Sequence, residues 1–150
     1  MTNRRFAASV LAALFVAEML AAIVHGFVLD ADYEPYRGTL LRGGPGGPAW
    51  QMVFLPVAHL FFVCSLVWIY ARLSLRGGVV RRGLVIGVLG WAIGQAPLWL
   101  LWYAEQPWPD SLVGKQLALE LASSLLIGLT VAAIAGHQRS TRSADGVRST

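Results

Sequence analysis

Charged side chains are scarce in this chain of 150 residues: twelve Lys and Arg and eight Asp and Glu make up 13% of it, where a soluble domain carries roughly 25%. That deficit speaks against an ordinary water-soluble fold. Cysteine is nearly absent, and a single Cys64 excludes both an internal disulfide and a cysteine-based zinc site. Enzyme signatures are missing as well: there is no G-x-S-x-G, no H-E-x-x-H, no P-loop and no dinucleotide fingerprint. Ser65 and Ser124 stand alone in apolar surroundings, where a serine hydroxyl usually bonds to its own helix backbone. Nothing calls for a cofactor. The net charge of +4 is divided between helix ends and a short tail without forming a patch or motif, which argues against a nucleic-acid partner.

What the chain does have is apolar sequence, 56% of it hydrophobic with a mean hydropathy of +0.58. Four runs, at 6–29, 50–71, 83–103 and 112–136, reach or exceed the roughly 20 residues a bilayer crossing needs. They predict an all-α membrane protein, a four-helix transmembrane bundle forming a single domain over 1–136. Membrane lipid is its expected surrounding. The polar segment 137–150, which opens on His137, reads as a disordered tail. Arg4 and Arg5 before the first run resemble a signal peptide, but the run is longer than a typical apolar signal core and lacks a cleavage site.

Cytoplasmic loops retain excess Lys and Arg. Arg4, Arg5, Arg72, Arg76, Arg81, Arg82, Arg139, Arg142 and Arg148 fall on one side; Arg37, Arg42 and Lys115 fall on the other, among Asp30, Asp32, Glu34, Glu105 and Asp110. Both termini are therefore expected in the cytoplasm. The longer external loop contains a GGPGGP turn segment, and Tyr33 and Tyr36 are expected at headgroup level. In the shorter loop Pro107 and Pro109 end the third helix, Asp110 or Ser111 caps the fourth, and Trp99, Trp102, Tyr103 and Trp108 form an aromatic belt. Lys115 is expected to reach to the interface with no chemical role.

The third run carries Gly83, Gly87, Gly90 and Gly94 along one face. Such a face lets another backbone approach closely, either a helix of the same chain or one from a second copy in a homo-oligomer. Pro97 then predicts a kink.

Ionisable groups near the bilayer centre cost at least ~2.5 kcal/mol each on insertion scales, so they need interior positions and partners. Glu18, His25, His59 and Glu120 are such groups, with Gln95 and Gln116 beside them. At ~1.5 Å per residue, Glu18 lies ~16 Å below the external end of its helix, His59, Gln95 and Glu120 ~12 to 14 Å deep, and His25 only ~6 Å deep. Glu18, His59, Gln95 and Glu120 thus form an expected polar layer, one residue per helix, with His25 nearer the surface. Gln116, Glu120, Ser124 and Gly128 recur every four residues, so that stripe should face inward.

Three functions compete for this layer. In a structural or accessory protein the polar groups specify helix packing. In a proton-coupled or small-solute carrier, Glu18, His59 and Glu120 exchange protons. In an intramembrane metal protein those same three residues are the candidate ligands, by ligand type. His25 lies ~10.5 Å from Glu18 along the axis, too far to share an ion with it.

The stretches HGFVLDADYEPYRG, PVAHLFFVCSLVWIYARL and RRGLVIGVLGWAIGQAPLWLLWY resemble small bacterial integral membrane proteins with four helices and a tyrosine-containing external loop after the first. The resemblance covers about 6–136. It implies an inner-membrane location and carries no activity and no site residues.

Overall fold

The computed structural model describes residues 1–40 and 53–136. Helix α1 (Asn3–Ile23) continues into a π-helical turn (Val24–Val28), and the chain then folds back through the short α2 (Asp30–Tyr33) and a 3-10 turn (Glu34–Tyr36). Helix α3 (Phe54–Arg72) returns along α1, and α4 (Val79–Gly90), a second π turn (Trp91–Gln95) and α5 (Ala96–Glu105) form one long segment. Helix α6 (Asp110–Gly136) completes the bundle. Four spans are long and apolar enough to cross a membrane: Asn3–Val28, Phe54–Arg72, Val79–Glu105 and Asp110–Gly136. The described residues are thus all-helical, with four helices that fit a multi-pass membrane protein. The third span starts at Val79, four residues before the expected boundary, and takes in Arg81 and Arg82. Trp50, Gln51, the GGPGGP segment and the tail from His137 lie outside the described residues.

Helix α6 is the centre of the bundle, packed against α4, α1, α5 and α3. Its face Gln116, Ser123, Ser124, Ile127, Gly128, Val131, Ala132 is buried. One apolar cluster, built on Ala13, Val63, Leu66, Val67, Ile86 and Val131, fills the arginine-rich half. A second, of Val24, Leu29, Tyr33, Trp108, Leu112 and Val113, closes the opposite end under the fold-back. Outward, Phe15, Phe27, Phe61 and Ile93 are exposed. Large apolar groups on the outside and small ones inside are the arrangement a lipid solvent favours.

The glycine face is filled by the chain itself. A Cβ at Gly83 would lie 2.7 Å from Leu129 Cα, and one at Gly87 2.6 Å from both Leu125 Cα and the Ser124 carbonyl oxygen. Gly128 stands opposite both, against the Gly83 carbonyl and the Gly87 backbone. Further along, Gly90 receives Leu66 and Gly94 receives the Phe62 ring. The first pair thus seats α4 on α6 and the second seats α3.

Pro97 is the second residue of α5, directly after the π turn. A proline lacks the N–H that an α-helix would direct to the carbonyl four residues back, and its ring crowds that carbonyl. The wider π turn absorbs the mismatch.

Candidate functional site: two imidazole–carboxylate pairs on one cavity

Both π turns carry a polar residue, His25 in the first and Gln95, a member of the expected layer, in the second. Turns of this kind are rare and recur at functional positions, because they shift side chains out of the α-helical register. The second is pinned to α6 by Trp91 Nε1, which donates to the Leu117 carbonyl at 3.0 Å.

The polar groups gather into two pairs. On the side of α3, His59 Nδ1 lies 2.9 Å from Glu18 Oε1. On the side of α6, His25 Nε2 lies 3.3 Å from Glu120 Oε1. His59 and Glu120 then line one cavity of ≈ 20 Å³, together with Gln95, Ser123 and Ser124. That volume exceeds the roughly 10–15 Å³ a single water requires. Ser124 Oγ is buried and has no partner among the described residues, so one hydroxyl on the wall is free to bond a water. Glu18 is outside the lining and reaches the cavity through His59.

His25 departs from its expected position. The depth estimate separates it from Glu120 by about one turn, and the structure brings the two together. Their combined side-chain length spans a turn of rise, and the π turn carries the imidazole in a register that a continuous α-helix would not supply. Glu18 and His25 are each paired elsewhere.

Behind His25 the chain of hydrogen bonds continues. His25 Nδ1 is 2.9 Å from the Tyr33 hydroxyl, which also accepts a short bond from Gln116 Nε2. If Tyr33 donates to Nδ1, the neutral imidazole keeps its proton on Nε2 and presents it to Glu120. Burial first, and the Glu120 carboxylate second, raise the Tyr33 hydroxyl above the ordinary tyrosine range, so it remains a donor at neutral pH. Tyr33 is thus a buried partner of the site. Packing draws it inward, since its ring stacks on His25 and belongs to the cluster with Trp108 and Leu112.

The fold-back that carries Tyr33 is clamped by charge. Lys115 Nζ bonds both Asp32 carboxylate oxygens at 2.8 Å, tying α6 to α2. Arg37 pairs with Asp30 and with Glu34, the latter at 2.9 Å. The position of Lys115 at the start of α6 was visible from sequence, but its partner, 83 residues away, was not. The aromatic belt also divides: Trp102 and Tyr103 are exposed, whereas Trp99 and Trp108 are buried. Trp108 packs on Tyr36 and donates from Nε1 to Gln106. Asp110 opens α6 and accepts from the Tyr103 hydroxyl at 2.7 Å.

Among the described residues no three His, Cys, Asp or Glu side chains converge to hold a metal ion. Glu18, His59 and Glu120, the candidate ligands, divide between the two pairs instead. Ser65 donates to the Phe61 carbonyl at 2.8 Å, a helix-backbone bond. In comparisons with known proteins, no family, no curated protein and no solved structure matches this chain.

Proposed function

We propose that this chain is a proton-handling carrier of the bacterial inner membrane, with both termini in the cytoplasm. The observation that carries the reading is that His59 and Glu120, each already paired with a group of the opposite kind, share one water-sized cavity. An imidazole backed by a carboxylate can take a proton on its free nitrogen while the carboxylate balances the charge. His59 Nε2 has no partner among the described residues, so a proton can enter there, pass to a cavity water, and be taken by Glu120. Glu120 then holds it as the carboxylic acid, beside the imidazole of His25 at 3.3 Å. The one transfer between the two pairs crosses the cavity that His59 and Glu120 both line. The excess of arginine at one end supports the orientation.

The test is proton flux in liposomes containing the purified protein and an entrapped pH indicator, under an imposed pH gradient. Flux above protein-free liposomes that falls at least tenfold in Glu120→Gln supports the reading; flux unchanged by that substitution refutes it.

A structural or accessory role has one specific observation in its favour: the pairs join the first span, Asn3–Val28, to two different helices, α3 through Glu18–His59 and α6 through His25–Glu120. It predicts that Glu18→Gln and Glu120→Gln lower thermal stability in detergent, whereas the carrier reading predicts that flux is lost while folding survives.

A further inference from the structure

The cavity shared by His59 and Glu120 has more bonding capacity on its wall than the two pairs use. Ser124, one of the wall residues, is 1% exposed, and its hydroxyl oxygen has no partner among the described residues. The side chains of Gln95 and Ser123, also on the wall, form no hydrogen bond among the described residues either. Glu120 adds a carboxylate whose side chain is only 15% exposed and whose one ion-pair partner there is His25. An imidazole is neutral unless it takes a proton, so the charge of that carboxylate has no permanent counterpart inside the span. Polar groups enclosed in this number without partners are costly. Four oxygen-bearing side chains and one negative charge thus surround a space of ≈ 20 Å³.

That composition selects an occupant. Carboxylate, amide and hydroxyl oxygens are hard ligands that suit hard cations, whereas imidazole and thiolate suit transition metals. A single carboxylate balances a single positive charge, and a divalent ion would bring an excess charge into the membrane. The volume is little more than the roughly 10–15 Å³ one water takes, which accommodates one ion without its hydration shell. Sodium, smaller than potassium, is content with fewer ligands. The backbone agrees with this choice. Each π turn contributes to the wall, the first through Val24 and the second through Gln95. Gly94 and Pro97 flank Gln95 in the third span, and spans interrupted in this way typically form the coupling-ion sites of secondary transporters.

We propose that the cavity binds a sodium ion, with Glu120 supplying the charge and Gln95, Ser123 and Ser124 supplying neutral oxygens. The inference rests on the cavity of the proton-carrier reading and names the solute that such a carrier moves. The ion and the relay water occupy the space in turn.

The experiment measures thermal unfolding of the full chain in detergent at fixed pH and ionic strength, with sodium chloride or potassium chloride replacing choline chloride. Sodium should raise the midpoint saturably, as a ligand of the folded state does, and potassium should not. Half-saturation should rise about tenfold or more in Glu120→Gln and about threefold or more in Gln95→Leu and Ser124→Ala. It should stay within about twofold in Glu105→Gln, which removes an exposed carboxylate at the end of α5. Gln95→Leu and Ser124→Ala keep every charge, and they decide the matter if Glu120→Gln fails to fold. Equal midpoints in sodium and choline overturn the site. Equal responses to sodium and potassium overturn sodium as its occupant. Half-saturation unchanged in both Gln95→Leu and Ser124→Ala shows a cation bound elsewhere and also overturns it. Proton flux separates the two readings: a parent that passes protons while sodium leaves its midpoint unchanged overturns the sodium site alone. A sodium-specific shift in a parent that passes no protons supports the site and removes the proton-transfer reading.

Discussion

Replacing Gly128 with alanine should destabilise the bundle, although the same change at Gly114 on the same helix should stabilise it. At Gly128 the new methyl would meet Gly87 N at 2.5 Å and Gly87 Cα at 2.8 Å. These are backbone atoms that no rotamer change can move. Ordinary contact requires α4 and α6 to separate by about 1 Å, which loosens the close packing along their seam. Overpacking of this kind costs about 1–3 kcal/mol, against a gain of about 1 kcal/mol from the better helix propensity of alanine. A Cβ at Gly114 has nothing within 4 Å, so only the propensity gain of about 0.5–1 kcal/mol applies there. Gly128→Ala should therefore lie up to about 2 kcal/mol below the parent and Gly114→Ala about 0.5–1 kcal/mol above it. Reversible unfolding in mixed detergent and SDS micelles reads the difference directly. Equal stability of the two variants would refute the account of α4 seated on α6 through glycine.

Tyr33→Phe removes the hydroxyl shared by His25 and Gln116 and leaves the Gln116 amide only its long 3.5 Å contact with His25 Nδ1, which should cost about 1–3 kcal/mol in the same unfolding assay. The parent should also lose stability as pH rises above about 10, because the unfolded chain releases a tyrosine proton that the folded chain retains; tyrosinate absorbance should show one hydroxyl that titrates only on unfolding, and Tyr33→Phe should remove that component. Ser124→Ala deletes a buried hydroxyl with no partner among the described residues, so stability should change by less than about 1 kcal/mol while proton flux through the cavity drops; a large stability loss would mean that the hydroxyl is structural. Lys115→Met frees Asp32 at an exposed pair and should cost at most about 1 kcal/mol, with greater hydrogen exchange confined to the fold-back.

Much of the architecture was readable in the residues because lipid imposes a simple rule: long apolar runs become helices, and small residues mark where they touch. The four spans and the inward stripe of Gln116, Ser124 and Gly128 follow from those constraints, whereas the glycine face was open to the same chain or a second copy until the structure set Gly83 and Gly87 against α6. The pairing of the polar groups was less legible. A depth scale of one rise per residue assumes α-helix throughout, and the π turns at Val24–Val28 and Trp91–Gln95 break that assumption where His25 and Gln95 stand. Tyr33 was hidden for another reason. A tyrosine in a short acidic loop is expected at the interface, and only the fold-back, held by Lys115 and Asp32, turns it inward onto His25. The buried state of Arg82 was also unmarked, since Arg81 and Arg82 are neighbours of the same type and only helix register separates the exposed one from the enclosed one.

The central claim is that a proton passes between His59 and Glu120 across the cavity they share. Proton flux into liposomes, measured for the parent, Glu120→Gln and His59→Gln with folded protein matched by circular dichroism, tests it most directly. The account predicts parent flux above the lipid background and a loss of at least tenfold in each variant. Parent flux equal to that of protein-free liposomes, or variants that conduct as well as the parent, would contradict it.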